Sequence, residues 1–301
     1  MLLCIGHALL GGAVVSFNLF RFAVAEIVDL AQQSKAISIT LGSGLVAALV
    51  APEVFRLSRG VVEVTLLAGP YLALSFLAFL GSLPLLFSRF ASPVPKVKPV
   101  VKRASRKKLL HRPKIIWAIV CGAGSAAGMT LLMTATPLSM VGHGFSDMQA
   151  GDVISWHVVA MFAPSFVTGS IINKIGANRV VIIGALFLAL SGAIAITGLQ
   201  LMNFYVALLL LGVGWNFLFV GGTTLLTECY EESEKSRIQA ANDFIVFSTV
   251  SVTALSSGAL HHHLGWSFVN LCVIPFILLC GWSAFWLAKQ RNNTSVLKTS
   301  N

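Results

Sequence analysis

Long apolar stretches, separated by short polar segments, follow one another along the whole of this chain. Each stretch has about 20 residues or more, which is the length of helix that crosses roughly 30 Å of hydrocarbon. Helices are expected rather than barrel strands, because strands of a membrane barrel alternate apolar and polar residues over about 10 positions. The pattern therefore predicts an all-α transmembrane bundle of about nine helices, at roughly 2–25, 36–57, 64–87, 115–136, 153–172, 180–202, 204–226, 238–260 and 266–288.

The composition also indicates an integral membrane protein. Hydrophobic residues make up 56% and charged residues 11% of the 301 residues, whereas soluble domains carry about 25% charged residues. The formal net charge of +10 does not indicate a nucleic-acid partner, because the aromatic residues lie in the apolar stretches and are not interleaved with the basic ones. The partner that the composition predicts is the lipid bilayer.

The basic residues sort strongly between the two sides of the predicted bundle. Eighteen of the 21 Lys and Arg residues fall on one side, Arg56 and Arg59 fall on the other, and Arg21 lies inside the first span. Since Lys and Arg in short loops mark the cytoplasmic side, we expect a multi-pass protein with a cytoplasmic C-terminus. The predicted parts are a three-helix N-terminal bundle at 1–87, a basic cytoplasmic linker at 88–114, a six-helix bundle at 115–288 and a cytoplasmic tail at 289–301.

One short polar turn carries a distinctive residue pattern. The segment Gly169–Arg179 reads G-x-x-x-N-K-x-G-x-x-R. Lys174 and Arg179 are typical of a cytoplasmic hairpin between two spans. Gly169 and Gly176 permit a close approach of helices and a tight turn. We therefore interpret this segment as a gating hinge between the fifth and sixth spans.

These features together resemble the major facilitator superfamily. The Gly169–Arg179 segment resembles the loop motif in the C-terminal half of that superfamily, and the basic linker resembles the connector between its two six-helix halves. The strings W-H-V-V-A-M-F-A-P-S-F-V-T-G and G-W-N-F-L-F-V-G-G-T-T-L-L-T-E are similar to those of a group of bacterial permeases, some of which are associated with riboflavin uptake.

The resemblance implies a twelve-helix fold in the cell inner membrane, and this chain would lack about the first three of those helices. It implies a monomeric secondary active transporter that moves a small organic solute by alternating access. Whether protons drive the transport is left open. The alternative is a truncated remnant or a membrane sensor of the same fold, which does not transport.

The resemblance also implies that the seventh span forms a wall of the solute cavity. Trp215 and Asn216 lie midway along this span, where an indole face and an amide suit a planar solute. The alternative for Asn216 is a hydrogen bond to a neighbouring helix. Phe17 and Asn18 hold a similar position in the first span, with packing as the alternative. Thr134 in the fourth span lines the cavity or bonds back to its own helix.

Four further residues are candidates for coupling or gating. His157 opens the fifth span at its outer end and either takes part in a proton-coupled cycle or makes a structural hydrogen bond. Pro164, one to two turns deeper, is expected to bend that span. Arg21 and Glu26 at the inner end of the first span, and Asp243 five residues into the eighth, lie where a charge is costly unless paired. We expect them to link cytoplasmic helix ends, with direct solute or proton binding as the alternative.

No enzymatic or cofactor motif is found in the sequence. H-E-x-x-H, G-x-S-x-G and the phosphate-binding loops do not occur, and no soluble segment is long enough to hold a catalytic site. The five cysteines are dispersed without the spacing of a metal site. A tract of three histidines at 261–263 is expected to lie in an outer loop. We therefore predict neither an enzyme nor a bound cofactor or metal.

Overall fold

The computed structural model describes residues 2–62, 68–87, 112–231 and 233–299. Over these ranges the chain is helical and contains no strand, which confirms the predicted all-α class. The helices are α1 Leu2–Glu26, α2 Gln33–Gly42, α3 Gly44–Ser58, α4 Ala68–Phe87, α5 Pro113–Gly142, α6 Asp147–Phe162, α7 Ser165–Ile175, α8 Ala177–Thr197, α9 Leu201–Thr227, α10 Lys235–Leu271 and α11 Ile274–Thr299. The basic linker predicted at 88–114 lies almost entirely outside the described residues.

Six stretches of the described chain are long and apolar enough to cross a membrane. The last of them is 56 residues long and contains two of the predicted spans. The predicted total of nine spans is not confirmed by this count and stays a prediction. The six stretches are Leu30–Ser58, Pro113–Gly142, Asp147–Ile175, Ala177–Thr197, Leu201–Thr227 and Lys235–Gln290.

The boundary between the last two predicted spans lies at Gly265. This residue has φ 80° and ψ 175°, a backbone conformation that residues with a side chain rarely adopt. Helix α10 is therefore kinked at Gly265, and its part before this glycine includes the histidines at 261–263. The expectation that these histidines lie in a loop is wrong, because the helix is interrupted at the glycine and not at the first polar residue.

The chain forms two compact units. One consists of Met1–Leu45 together with Arg106–Asn301, and the other is Val46–Ser105. The second unit contains most of α3 and all of α4, and Gly60 in the turn between them has φ +81°. The first unit contains every candidate site residue. The domain boundaries expected from the sequence stay a prediction.

The core of the first unit is built around α5 and α9. In each of these helices 67% of the most apolar stretch is buried. Glycines allow α9 to pack closely on α8, because a Cβ atom at Gly214 would lie 2.8 Å from a methyl carbon of Leu188. The small residues in the string G-W-N-F-L-F-V-G-G thus set the distance between these helices.

The fifth predicted span is two helices joined at Pro164. Helix α6 ends at Phe162 and α7 begins at Ser165, so the helix is interrupted at the proline where a bend is expected. Helix α6 also begins earlier than predicted, at Asp147, because Ser146 caps it. The Ser146 hydroxyl accepts a hydrogen bond from the Gln149 backbone (3.2 Å), and the Gln149 side chain accepts one from the Ser146 backbone (3.0 Å). This capping box stabilises a helix start six residues before the predicted span.

The short helix α2 lies directly against α7. A Cβ atom added at Gly169 would lie 2.5 Å from the Lys35 Cα atom and 2.6 Å from the Ser34 carbonyl oxygen. The Gly169 backbone donates a hydrogen bond of 3.0 Å to the hydroxyl of Ser38, and this hydroxyl donates to the carbonyl of Ser165. Gly169 therefore lies in a helix–helix contact and not in a loop. A residue with a side chain would not allow α2 to approach α7 this closely.

Substitution of Gly169 by alanine should separate α2 from α7 and destabilise the fold. Gly169→Ala is expected to lower the free energy of unfolding by about 1–3 kcal/mol, as overpacking does in other cores. The matched control is Gly151→Ala in α6, where a Cβ atom would meet nothing within 4 Å and alanine favours the helix by about 0.5–1 kcal/mol. Thermal unfolding in detergent measures both, and equal melting temperatures would show that the close contact is not needed.

Candidate functional site

A cavity of about 470 Å³ lies in the first unit and is lined by side chains of α1, α2, α5, α6, α9 and α10. Small-molecule sites in proteins have volumes of about 300–1,000 Å³. The cavity lies between the helices that precede the basic linker and those that follow it. It is therefore the candidate solute site.

One wall of the cavity is aromatic. Trp215 and Phe219, one turn apart on α9, stack with their ring centroids 4.8 Å apart and their planes 18° from parallel. The ring of Phe162 at the end of α6 meets Trp215 edge-on, at 6.1 Å and 78°. Together the three rings present a broad apolar surface of the kind on which a flat molecule stacks.

The polar part of the cavity is a buried ion pair between α1 and α10. Arg21 Nη2 lies 2.6 Å from Asp243 Oδ1, and each side chain is only 4% exposed. Arg21 Nη1 also donates to Asn18 Oδ1 (2.8 Å), and Asn242 Nδ2 donates to the same Asp243 oxygen (2.9 Å). Because removing one partner of a buried pair leaves an uncompensated charge, such a change typically costs about 3–5 kcal/mol.

The guanidinium of Arg21 is also held between two aromatic rings. Its central carbon lies 4.6 Å from the ring centroid of Phe22 and 4.7 Å from that of Phe219. Both distances fall within the range of a cation–π interaction. Phe219 thus contacts the tryptophan and the arginine at once, and it joins the aromatic and the polar parts of the cavity.

A second ion pair joins the same two helices closer to their ends. Lys235 Nζ lies 2.7 Å from Glu26 Oε2, and the two side chains are 24% and 36% exposed. The earlier residue of α1, Arg21, pairs with the later residue of α10, Asp243, and the later residue of α1, Glu26, pairs with the earlier residue of α10, Lys235. The two helices therefore run in opposite directions. An exposed pair contributes about 0–1 kcal/mol, so the buried pair is the stronger link.

Of the residues predicted to bind solute, the structure brings Trp215, Phe17 and Asn18 to the cavity. Arg21 and Asp243, predicted as gating residues, line it as well. The sequence offered no sign that these two pair with each other, because they lie 222 positions apart.

Asn216 does not line the cavity. Its side chain is fully buried and makes hydrogen bonds that cross the break between α6 and α7. Asn216 Nδ2 donates to the Met161 carbonyl (2.7 Å) and to Ser165 Oγ (2.5 Å), and Asn216 Oδ1 accepts from Thr168 Oγ1 (2.7 Å). The amide therefore satisfies the backbone and hydroxyl groups beside Pro164, so these bonds favour helix packing over solute binding.

His157 and Thr134 also lie away from the cavity. His157 is fully buried between α6 and α9, with its Nδ1 atom 2.8 Å from the Leu208 carbonyl oxygen. Because α6 begins at Asp147, His157 lies ten residues inside the helix and does not open it, contrary to expectation. Thr134 is half-buried, and Thr130 one turn earlier lines the cavity in its place.

The remaining gating candidates lie at the junction of α7 and α8. The predicted polar turn shrinks to Gly176, since α7 ends at Ile175 and α8 begins at Ala177. Gly176 has φ +89°, which only glycine adopts readily. Lys174 and Arg179 on either side are exposed. None of these residues is among those that line the cavity.

Sequence reasoning missed Phe162 and Phe219 as cavity residues. Phe219 follows Trp215 by four positions, and residues at this spacing lie on the same face of a helix. The helical period would therefore have identified it once Trp215 was chosen. Phe162 could not be found in this way, because it lies on another helix, α6, and meets Trp215 only through the packing of α6 against α9.

Comparison with known proteins identifies the family. The family model of the Major Facilitator Superfamily matches residues 118–300. The chain belongs to this superfamily. Its helices are thus those of a multi-pass membrane transporter, and the family and the relatives found are transporters rather than enzymes.

Two curated relatives of this facilitator cover most of its length. The riboflavin transporter RfnT of Brucella anthropi is 37% identical over 281 residues, which cover 93% of this chain and 70% of that protein. The uncharacterized MFS-type transporter YdeG of Bacillus subtilis is 27% identical over 90% of this chain and 66% of that protein. The facilitator thus spans about two-thirds of the length of these relatives.

A solved structure supports the fold. The crystal structure of a bacterial homologue of the iron transporter ferroportin, in an outward-facing state, superposes with a TM-score of 0.65. The match covers 89% of this chain and 67% of that chain at 14% identity. At this identity the likeness concerns the fold alone, and it agrees with the family assignment.

The role of Asn216 can be separated from solute binding by one substitution. Asn216→Leu removes three buried hydrogen bonds, of which only the Thr168 hydroxyl keeps another acceptor, the Pro164 carbonyl. It should therefore lower the free energy of unfolding by about 1–3 kcal/mol. The amount of solute bound should fall only in proportion to the loss of folded protein, and the affinity of the folded protein for solute should not change. Paired thermal melting and ligand binding in detergent measure the two effects.

The matched control for Asn216→Leu is Thr134→Val, which removes a half-buried hydroxyl that bonds to no other residue in the described part of the chain. This variant should melt like the unmodified protein. A normal melting temperature for Asn216→Leu together with lost binding would instead make Asn216 a solute contact.

Proposed function

We propose that this facilitator is a secondary active transporter that carries a small planar organic solute, with a flavin such as riboflavin as the substrate class. The observation that supports this best is the meeting of the Trp215–Phe219 stack and the buried Arg21–Asp243 pair in one cavity. A flat ring system with hydrogen-bonding edges matches such a site. The riboflavin transporter of Brucella anthropi, at 37% identity, adds support from sequence.

Alternating access requires the helices on either side of the cavity to move against each other. One end of these helices is held together by several contacts. The end of α1 is joined to the start of α10 by the Glu26–Lys235 pair, and Asn173 near the end of α7 donates to the Ala31 carbonyl (2.9 Å). The close contact at Gly169 lies at the same end. We propose that transport opens this end by breaking these contacts in each cycle.

We further propose that proton coupling, where it occurs, acts through the cavity carboxylate. Asp243 lines the cavity and pairs with a cation from another helix, so its protonation would release that cation. His157 is less suited to this role, because its ring is enclosed between two helices and its Nδ1 hydrogen is donated to a carbonyl.

Uptake into proteoliposomes tests the proposed function. The full-length protein should accumulate riboflavin against a gradient when the lumen is alkaline, and a protonophore should abolish accumulation while leaving exchange of labelled for unlabelled solute intact. Accumulation that persists with the protonophore would exclude proton coupling. Binding of riboflavin without uptake or exchange would favour a membrane sensor over a transporter.

We propose that the protein lies in the cell inner membrane as a monomer, with the C-terminus and the α7–α8 turn in the cytoplasm. The distribution of basic residues supports this orientation. In a cysteine-free background, Met148→Cys at the opposite end of α6 should react with a membrane-impermeant maleimide in intact cells. Lys174→Cys should react only after permeabilisation. The reverse order of labelling would invert the orientation, and both side chains are exposed.

A further inference from the structure

The charge of the candidate cavity is balanced within the cavity itself. Among the described residues that line it, Arg21 and Asp243 are the two that carry a formal charge, and they form one ion pair. A solute with its own charge would therefore find no unpaired counter-charge there. Since an unpaired charge is very unfavourable away from water, the cavity suits an uncharged solute.

The ion pair is incompletely satisfied. An arginine and a carboxylate can pair through two parallel hydrogen bonds, but here Asp243 Oδ1 accepts from both Arg21 and Asn242. Asp243 Oδ2 and Arg21 Nε have no hydrogen-bond partner in the described part of the chain. The pair thus keeps one acceptor atom, Asp243 Oδ2, and one donor atom, Arg21 Nε, that bond to nothing in the described residues.

A third polar atom of the cavity residues has no partner in the described residues. The indole Nε1 of Trp215 is buried and makes no hydrogen bond. Leaving such atoms unpaired in a low-dielectric interior is unfavourable. All three atoms are shielded in this conformation, so a ligand would reach them by turning the side chains. The three residues that carry these atoms line the same cavity.

We propose that the cavity selects an uncharged planar solute that carries a hydrogen-bond donor next to an acceptor, and that Asp243 and Arg21 recognise this edge. The proposal rests on the proposed transport function and specifies its substrate chemistry. A cyclic imide has this arrangement, because its N–H is flanked by carbonyl groups. The N–H donates to Asp243 Oδ2, a neighbouring carbonyl accepts from Arg21 Nε, and the ring face lies against the aromatic wall of Trp215.

The proposal is tested first on the unmodified full-length protein with three flavins. Riboflavin is uncharged and has an imide N–H, N3-methylriboflavin lacks this N–H, and riboflavin 5′-phosphate adds negative charge. Quenching of flavin fluorescence gives the dissociation constants in detergent. We expect riboflavin to bind about 10- to 100-fold more tightly than the N3-methyl compound, and about 100-fold more tightly than the phosphate.

The second test uses two matched variants. Asp243→Asn retains one oxygen for Arg21 but replaces the acceptor Oδ2 with an amide N–H donor. The variant should therefore bind riboflavin and N3-methylriboflavin with about equal affinity. Glu26→Gln removes the other ion pair between α1 and α10 without changing a residue of the cavity. In this variant the ratio of the two affinities should equal that of the unmodified protein.

Each outcome of these measurements is decisive. Equal affinities of the unmodified protein for riboflavin and its N3-methyl analogue would overturn recognition of the imide edge, and this result needs no variant that folds. Equal affinity for the phosphate would overturn the preference for an uncharged solute. If Asp243→Asn weakens both flavins equally and keeps the ratio, the pair is only a link between helices. In all three cases the transport function stands, whereas absence of any flavin binding would overturn both proposals.

Discussion

The constraint on which the site depends is the cost of a charge away from water. The side chains of Arg21 and Asp243 are each only 4% exposed, and each is tolerated there because the other lies 2.6 Å away. The pair therefore fixes α1 against α10. It also positions Phe219, whose ring contacts the guanidinium and stacks on Trp215. A single buried interaction thus joins two helices and arranges the polar and aromatic walls of the cavity.

Two different kinds of contact hold the helices around this pair. Between α2 and α7, and between α8 and α9, glycine permits close packing. Serine hydroxyls add hydrogen bonds there, because Ser38 donates to the Ser165 carbonyl and Ser191 donates to the Ala207 carbonyl. Between α1 and α10 the contact consists of ion pairs, which respond to charge and to ligands. Helices α8 and α9 both follow the basic linker, so their close packing holds one half of the bundle together. The contacts of α1 with α10 and of α2 with α7 join the two halves and are the ones that separate in the proposed transport cycle. The hydrogen bonds of Asn216 likewise act within one half, because they join α9 to α6 and α7, which all follow the linker.

The helical class and the interruption of the fifth span at Pro164 could be predicted from the sequence, because both follow from local chemistry. Trp215, predicted to bind solute, and Arg21, predicted to link helix ends, both line the cavity. The length of an apolar stretch, the missing backbone N–H of a proline and the cost of a charge in a membrane can all be recognised from the sequence alone. The partner of Arg21 is not readable, since Asp243 lies 222 residues away. The role of Asn216 was left open between solute binding and a helix–helix hydrogen bond for a related reason: its partners Met161, Ser165 and Thr168 lie about 50 positions earlier in the chain. The start of α6 was missed because the capping box at Ser146 lies outside the apolar stretch.

The most direct measurement of the central claim uses Trp215 as its own reporter. The chain contains six tryptophans, and replacing the other five by phenylalanine leaves Trp215 as the only indole. Titration with riboflavin should quench the emission of this residue in a saturable manner, with the dissociation constant found from flavin fluorescence. Saturable flavin binding that leaves the Trp215 emission unchanged would contradict the assignment of this cavity as the solute site.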